Sequence, residues 1–249
     1  MLRLYKACMA RLLTNIFFIG GCVIALVVTF AVSSGWMRIS FLSEADSSRR
    51  MFFVSIAMCV FFSIFVPYSI SPEYKDGVLR NKMIIGYTQK QIFGAYYLSH
   101  ASLLFLMTLA YLIGGILGGA DPFGRYGIPI LTVFVAFLFY LTVLCFISFR
   151  VKNVIVVAVV ITMLFQAAFG MTMFGNAILM AFDNAGNIEA RNVTALIYNL
   201  SPFGQWFSNT GFSDDYANPG TAAQLLLSVG GSALVLFAGT LRLNLREEV

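Results

Sequence analysis

Six apolar runs of about 20 residues, separated by short polar segments, constrain this chain more than any other feature. They cover residues 16–37, 51–70, 97–119, 128–149, 153–175 and 221–241. An α-helix rises about 1.5 Å per residue, so about 20 residues cross the roughly 30 Å of a bilayer's hydrocarbon core. The runs are apolar on all sides and do not alternate, which favours helices and excludes a transmembrane β-barrel. The sequence therefore predicts an all-α, polytopic membrane protein with six spans.

The composition excludes a soluble or disordered chain. Charged residues make up only 11% of the 249 residues, whereas soluble domains carry about 25%. So little charge cannot cover the surface of a soluble fold, and 25 Phe with 11 Tyr are the opposite of a disordered composition. Because six spans with short loops use up the chain, we expect a single transmembrane domain over residues 1–249.

The distribution of Lys and Arg predicts the orientation. Six spans put both termini on one side, and that side carries eleven Lys and Arg residues against five on the other. Cytoplasmic loops are enriched in these residues, so we expect both termini in the cytoplasm. The count includes Lys152, Arg242 and Arg246 on the cytoplasmic side. The segment 176–220 is then external, which agrees with its acidic residues, Asp214 and Asp215 among them.

Residues 1–15 have the periodicity of an amphipathic helix. At 100° per residue, one face is polar and basic, with Arg3, Lys6 and Arg11. The opposite face is apolar, with only Leu4 on the wrong side; it contains Leu2, Tyr5, Cys8, Met9, Leu12, Leu13 and Ile16. Such a helix suits the membrane interface, so we expect it to lie flat on the cytoplasmic surface. The alternative is a simple basic flank that orients the first span.

The segment 71–93, between the second and third spans, is the most informative part of the chain. It opens with Ser71 and Pro72, a pattern typical of a helix N-cap and first turn. Glu73 then favours the positive end of a helix. Gly77 interrupts this pattern. We therefore predict that a helix starts at Ser71 and breaks at Gly77.

The second half of this segment predicts a short surface helix. Residues 78–85 mix apolar and basic side chains, and Gly86 can end a helix there. Thr88 and Gln91 have the spacing of a capping box, which starts a new helix into the third span. A short helix lying across the membrane surface suits docking into a groove on a soluble partner.

The pattern in this segment resembles the corresponding loop of permease subunits of type-2 ABC transporters, most of which are exporters. The residues that carry the resemblance are Glu73, Gly77, Val78, Leu79, Arg80, Asn81, Lys82, Gly86, Tyr87, Thr88 and Ile92. The predicted topology is similar over the whole chain, including a long external segment between the fifth and sixth spans. In that family this segment forms a re-entrant helical hairpin, and residues 195–207, with their Ser-Pro helix start, look similar.

The resemblance implies that the chain is a transport subunit of a bacterial cell membrane. It makes the segment 71–93 a coupling helix that docks an ATPase subunit through Glu73, Gly77, Leu79, Arg80, Asn81, Lys82 and Gly86. It also implies two such ATPase chains, which hold ATP and Mg²⁺, and a second permease chain, identical or different. This chain has no GxxxxGK[ST] phosphate loop, so we expect it to bind no ATP or other cofactor and not to be an enzyme.

The fifth span holds the candidates for a substrate path. These are the amides Gln166 and Asn176 and the aromatic residues Phe165 and Phe169. Each of them can equally pack against, or hydrogen-bond to, a neighbouring helix. No charged residue lies in the middle of a span, which argues against ion-coupled transport. A hydrophobic or amphipathic substrate, such as a peptide or drug, fits a path of this kind.

A different class of function uses the same loop without transport. A membrane anchor, immunity protein or assembly factor would hold a cytoplasmic partner and show no substrate-stimulated ATP hydrolysis. A membrane enzyme has little support, because no nucleophile-base pair and no cluster of His or carboxylate residues stands out in the sequence.

Overall fold

The computed structural model describes residues 1–75, 77–151, 153–210 and 217–241. Every regular element within these ranges is helical. As predicted, six helical segments are long and apolar enough to cross a membrane; they are Ile16–Ser33, Ser47–Glu73, Gln89–Leu117, Gly127–Arg150, Ile155–Asn184 and Thr221–Thr240. The charges at Lys152, Asp214, Asp215, Arg242 and Arg246, used in the orientation argument, lie outside the described residues.

The helices are named α1 to α11 in chain order. They are α1 (Leu2–Leu13), α2 (Ile16–Ser33), α3 (Ser47–Val54), α4 (Ile56–Lys75), α5 (Val78–Ile84), α6 (Gln89–Leu117), α7 (Gly127–Arg150), α8 (Val154–Asn184), α9 (Ile188–Tyr198), α10 (Pro202–Asn209) and α11 (Thr221–Leu241). The spans are α2, α3 with α4, α6, α7, α8 and α11. We use the hairpin as a name for α9, α10 and the residues between them. The two ends of the bundle are then the α5 end and the hairpin end.

The second span ends later than the sequence indicates. The predicted helix start at Ser71 and Pro72 is wrong, because α4 continues through Pro72 to Lys75. A proline removes one backbone hydrogen bond, but packing can hold the helix. Ile70, Ser71 and Glu73 are all buried, so neighbouring helices hold this turn in place. Glu73 therefore belongs to the last turn of the span and not to the loop.

Helix α1 is amphipathic, but its buried stripe is rotated from the predicted one. Leu4, which the sequence pattern placed on the polar side, is buried with Cys8 and Leu12. This stripe packs on α6, and the hydroxyls of Tyr5 and Ser102 hydrogen-bond across the contact at 2.9 Å. The residues predicted for the apolar face that are instead exposed are Leu2, Leu13 and Ile16. Contact with one neighbouring helix selects a narrower stripe than contact with a flat bilayer would.

The spans differ in how much of each is covered by the rest of the chain. α2 packs closely along α6, where a Cβ at Gly114 would collide with the carbonyl of Leu26. α4 lies against α7 and α8, and α11 packs along α7. The share of buried residues is 33% to 56% in the first four spans and 17% in each of α8 and α11. The last two spans therefore form the periphery of the bundle.

The fifth span is longer than predicted. The sequence suggests an end near residue 175, whereas α8 continues to Asn184. Residues 176–184 contain no Gly or Pro, and the first residue with a left-handed backbone after them is Gly186, with φ 67°. The next two helices, α9 and α10, are separated by a break at residues 199–201, and α10 begins at the predicted Ser-Pro helix start. The hydroxyl of Ser201 caps α10 by accepting a hydrogen bond from the N–H of Phe203 at 3.2 Å.

Candidate functional site

Helix α5 is a short helix bounded by two glycines with positive φ. Gly77 precedes it with φ 67° and Gly86 follows it with φ 102°, a backbone region that glycine enters far more readily than other residues. The predicted capping box is present at the start of α6. The N–H of Gln91 donates to the hydroxyl of Thr88 at 3.3 Å, and the Gln91 side chain accepts from the N–H of Thr88 at 3.1 Å. Gly77 therefore separates α5 from α4, and Gly86 with the capping box separates α5 from α6.

A buried carboxylate holds α5 to three other helices. Glu73, only 2% exposed, forms ion pairs with Arg11 of α1 and with Lys82 of α5, the latter at 2.7 Å. Lys82 also donates to the hydroxyl of Tyr96 on α6, and Arg11 to the carbonyl of Ser69 on α4 at 3.5 Å. We call Arg11, Glu73, Lys82 and Tyr96 the Glu73 clamp.

The clamp contains two cations for one carboxylate. A buried charge is stable only when paired and hydrogen-bonded, and Glu73 has a cation on each oxygen. Burial lowers the pKa of Arg11, but the pKa of a guanidinium starts so high that it stays charged at neutral pH. The ammonium of Lys82 lies 4.6 Å from the centre of the Tyr96 ring, within the range of a cation-π contact.

Polar contacts continue from the clamp into the bundle through His100. Its Nδ1 lies 2.8 Å from the carbonyl of Tyr96, which can only accept, so Nδ1 carries the proton. Its Nε2 lies 2.7 Å from the hydroxyl of Ser69. With no exposed surface and partners on both nitrogens, His100 ties α6 to α4 as a packed residue.

The predicted docking residues fall into three groups. Glu73, Leu79 and Lys82 face the bundle, and the side chain of Leu79 is buried. Arg80 and Asn81 are exposed. The remaining pair, Gly77 and Gly86, sets the limits of the helix. The structure therefore separates residues that hold α5 from residues that a partner can contact.

The outer side of this segment also exposes apolar side chains that the sequence analysis did not single out. Ile84 and Ile85 are each 74% exposed and Met83 is 38% exposed, next to the exposed Arg80. An exposed apolar pair beside a basic side chain is typical of a surface that inserts into a partner's groove. The sequence feature that could have indicated this surface is the run of three apolar residues, Met83, Ile84 and Ile85, directly after Lys82. We call Arg80, Asn81, Met83, Ile84 and Ile85 the α5 surface.

The hairpin end is held by neutral side chains. The side-chain carbonyl of Asn199 accepts from Gln224 at 2.8 Å and from Ser208 at 3.1 Å. The amide of Gln205 donates to the backbone carbonyl of Asn199 at 2.7 Å and to the hydroxyl of Ser228 at 2.9 Å. All five residues are buried. We call them the amide cluster; it joins α9 and α10 to α11.

Helix α10 is also fixed to the start of the second span. The indole N–H of Trp206 donates to the carbonyl of Phe52 at 3.4 Å. The guanidinium of Arg49 donates to the carbonyl of Thr210 at 2.9 Å. These two bonds join α10 and the residue after it to α3. Because the amide cluster joins α10 to α11, the hairpin is held on two sides.

The inner side of α10 inserts an aromatic ring between two spans. Phe203, which is 1% exposed, packs edge-on against Tyr140 of α7 and Phe165 of α8, with ring centres 5.9 and 5.0 Å apart. Tyr140 in turn hydrogen-bonds to the hydroxyl of Ser63 on α4 at 2.9 Å. The candidate path residue Phe165 is therefore covered by the hairpin.

The four candidate path residues lie within an arc of about 100° on α8, at 100° per residue. Gln166 and Phe169 are exposed, while Phe165 and Asn176 are partly buried. The Oδ1 atom of Asn176 is buried and receives no hydrogen bond from any residue that the structure describes. A groove of about 440 Å³ between α8 and α9 is lined by other residues, namely Phe182, Asn187, Glu189, Ala190, Val193 and Thr194.

These features define the chain as a multi-pass helical membrane protein. No protein-family model, curated protein or solved structure matches the chain. Within the described ranges, no group of three His, Cys, Asp or Glu side chains could hold a metal ion. Its function has to be inferred from the arrangement of its own residues.

Proposed function

We propose that this chain is the membrane-spanning permease subunit of an ATP-driven exporter, and that α5 docks a separate ATPase subunit. The observation that carries the proposal is α5 itself. It is a short helix between two spans, held from inside by Glu73 and exposing Arg80, Ile84 and Ile85 outward. The sequence resemblance of this segment to type-2 ABC permeases supports the same assignment.

The α5 surface has the chemistry of a docking helix. Ile84 and Ile85 enter an apolar groove of the ATPase, where burying one such side chain contributes roughly 1.5–3 kcal/mol. Arg80 contacts acidic or carbonyl groups at the rim of that groove. A helix that presents apolar anchors flanked by a charge is a recurring way to recognise a groove.

The Glu73 clamp makes α5 move together with the spans. A displacement of α5 by the ATPase acts on α4 through Glu73, on α6 through Tyr96 and on α1 through Arg11. Closure of two ATPase subunits on ATP and Mg²⁺ therefore shifts the spans between inward-open and outward-open states. The chemistry of ATP hydrolysis takes place on the partner chains.

The proposal places the α5 end in the cytoplasm, with α1 in the interface and the hairpin re-entering the membrane from outside. Arg3 and Lys6 of α1 are exposed, where they can meet lipid head groups. Leu2 and Leu13 are exposed as well, and at 100° per residue they lie within about 40° of Lys6, on the side of α1 away from the buried stripe. The largely apolar, buried helix α10 suits a position at membrane depth.

The exported substrate is hydrophobic or amphipathic, such as a peptide or a drug. The support is the candidate path face of α8, whose residues Phe165, Gln166, Phe169 and Asn176 are aromatic or neutral amides. A path of this kind has no fixed charge with which to select an ion.

The experiment is affinity purification of the tagged chain from its native membranes in mild detergent, followed by mass spectrometry. We expect a soluble chain with a GxxxxGK[ST] phosphate loop to copurify in stoichiometric amount. Ile84→Asp should abolish this capture. The matched control is Phe123→Asp, which changes a residue 80% exposed at the hairpin end and should leave the capture unchanged.

Two results would overturn the proposal. Purification of the chain alone would remove the docking function. Stoichiometric capture of a partner without a phosphate loop would identify an anchor or assembly factor instead of a pump.

A further inference from the structure

We propose that the junction of α1, α2 and α4 binds one anionic phospholipid, with its phosphate on Arg11 and Tyr68 and an acyl chain on the exposed side of α4. This lipid site goes beyond the exporter function and uses none of the ATPase docking. The one premise that the two share is that the six spans cross a bilayer, with the α5 end at a membrane surface.

The first observation is the charge of the Glu73 clamp. Arg11 and Lys82 both pair with Glu73, which leaves one positive charge without a counterpart. Among the side chains that the structure describes at the α5 end, Glu73 is the only carboxylate, and the cations there comprise Arg3, Lys6, Arg11, Arg80, Lys82, Lys90 and Arg150. An anion that reaches the clamp from outside is therefore attracted by an excess of positive charge.

The second observation is that two side chains at the junction have hydrogen-bond donors to spare. Arg11 is 47% exposed and uses its two terminal nitrogens for Glu73 and for the carbonyl of Ser69, while its Nε has no acceptor among the described residues. Tyr68, the residue before Ser69, is 49% exposed, and its hydroxyl makes no hydrogen bond within the described ranges. A guanidinium and a phenol hydroxyl are suitable donors for a phosphate.

These two side chains meet at one place in the fold. Arg11, in the last turn of α1, reaches the carbonyl of Ser69, and Phe17 at the start of α2 packs edge-on against Tyr68 with ring centres 4.9 Å apart. The connection between α1 and α2 therefore lies against a single turn of α4. Tyrosines are enriched at the level of lipid head groups, where the ring is in apolar surroundings and the hydroxyl is in polar ones.

The third observation is the surface of α4 below Tyr68, which has the dimensions of an acyl chain. Between residues 57 and 72 the exposed positions form a stripe one residue wide, made of Ala57, Val60, Ile64, Tyr68 and Pro72. Val60 lies eight residues from Tyr68, about 12 Å along the helix, close to the roughly 15 Å of hydrocarbon in one leaflet. A free phosphate ion makes no use of this apolar stripe, so the surface suits a lipid.

The test is quenching of tryptophan fluorescence by brominated lipids, with the full chain in phosphatidylcholine nanodiscs. Ile64→Trp places the probe on the stripe. Leu98→Trp is the matched control, because Leu98 is also exposed and both positions lie nine residues from the α5 end of their spans, at Glu73 and Gln89. The signal of the two native tryptophans is subtracted with the unchanged chain.

The expected result is a preference for the anionic lipid at the stripe alone. With one lipid in ten brominated, phosphatidylglycerol should quench Ile64→Trp at least threefold more than phosphatidylcholine with the same chains. The two lipids should quench Leu98→Trp equally, since that position reports only the surrounding bilayer.

Second substitutions in the Ile64→Trp chain test the head-group donors. Arg11→Gln should abolish the excess, and Tyr68→Phe should at least halve it. Arg3→Gln, on the same helix, and Tyr97→Phe, on α6, are the matched controls and should leave it unchanged. The Tyr68 hydroxyl bonds to no described residue, so Tyr68→Phe keeps the fold even if Arg11→Gln loosens the clamp.

Several results would overturn the lipid site. They are equal quenching of Ile64→Trp by both lipids, an equal excess in Leu98→Trp, and an excess that survives both Arg11→Gln and Tyr68→Phe. Loss of the excess in inorganic phosphate, but not in sodium chloride of equal ionic strength, would identify a site for free anions instead. None of these measurements needs the ATPase, so the lipid site and the docking function stand or fail separately.

Discussion

The two ends of the bundle are held together by opposite chemistry. At the α5 end, one buried carboxylate, Glu73, binds two cations on two different helices. At the hairpin end, Asn199, Gln205 and Gln224 bind α9 and α10 to α11 through neutral amides. Both ends bury polar groups that need partners, but they differ in what happens when a partner is lost.

This difference predicts how each end responds when its bonded partners move apart. The attraction within an ion pair falls off slowly as the two charges separate. The side chain of Arg11 is also half exposed, so water can hydrate its guanidinium when α1 and α4 move relative to each other. An amide hydrogen bond is lost within a fraction of an ångström. We therefore expect the α5 end to shift as a unit during transport, with the hairpin end as the fixed frame against which it shifts.

The largest expected effect comes from removing the carboxylate at the α5 end. Glu73→Gln leaves two cations facing a neutral amide, and losing one partner of a buried ion pair costs about 3 kcal/mol. A loss of this size lowers the unfolding temperature of a chain of 150–250 residues by roughly 6–12 °C. Thermal unfolding in detergent, followed by tryptophan fluorescence, measures it.

The control for this change is Glu44→Gln, an exposed carboxylate at the hairpin end, which should shift the unfolding temperature by less than 1–2 °C. Exchanging the charges in Glu73→Lys with Lys82→Glu should recover part of the loss seen in either single variant. If Glu73→Gln behaves like the control, the clamp does not hold α5.

The next effect tests the neutral cluster. Asn199→Asp removes the two hydrogen bonds that the amide donates to the carbonyls of Ala195 and Ala217, at 2.8 and 2.9 Å. It also puts a carboxylate against those carbonyls, and we expect a loss of about 2 kcal/mol. Asn192→Asp, an exposed change on α9, is the matched control. Unfolding temperature and proteolysis between α8 and α11 measure the effect; equal behaviour of the two variants would contradict the fixed-frame interpretation.

A smaller effect concerns the bounds of α5. Gly86→Ala puts a side chain at φ 102°, where a non-glycine residue is strained by about 1–2 kcal/mol. We expect a corresponding loss of stability and a three- to tenfold loss of ATPase capture, since the strain turns the end of α5. The control is Gly20→Ala in α2, where an added Cβ meets no atom within 4 Å and stability should rise slightly. Unchanged capture by Gly86→Ala would show that the exit from α5 does not position it.

The smallest effect on stability, and the sharpest on docking, comes from the α5 surface. Arg80→Glu changes an exposed residue, so the free energy of unfolding should change by less than about 0.5 kcal/mol. ATPase capture should fall at least tenfold. Lys82→Glu, two residues on, faces Glu73 and should lower stability and capture together. If both variants lose the same stability, the division of α5 into an inner and an outer side is wrong.

Local features of this fold could be predicted from the sequence. Hydropathy over 20 residues identifies the six spans, and the capping box of Thr88 and Gln91 depends only on residues three apart. The Ser201 cap of α10 is equally local. Each of these depends on neighbours along the chain, which a sequence displays directly.

Features that depend on distant partners could not be predicted. The buried position of Leu4 on α1 follows from contact with α6, and the continuation of α4 through Pro72 follows from packing around Glu73. Asn199 and Gln224 pair across 25 positions, and nothing in their local sequence indicates it. A short helix between the second and third spans was predicted, but the inward position of Glu73 depends on its contacts with Lys82 and with Arg11, the latter some sixty residues away.

The central claim is that the α5 surface touches an ATPase. Its most direct test is photo-cross-linking in native membranes, with benzoylphenylalanine in place of Ile85 and, as control, in place of Trp36. Both side chains are strongly exposed, at 74% and 81%, but Trp36 follows α2 at the hairpin end. We predict a cross-link from position 85, and not from position 36, to a soluble chain with a phosphate loop. Cross-links from position 85 only to lipid, or to a partner without that loop, would contradict the claim.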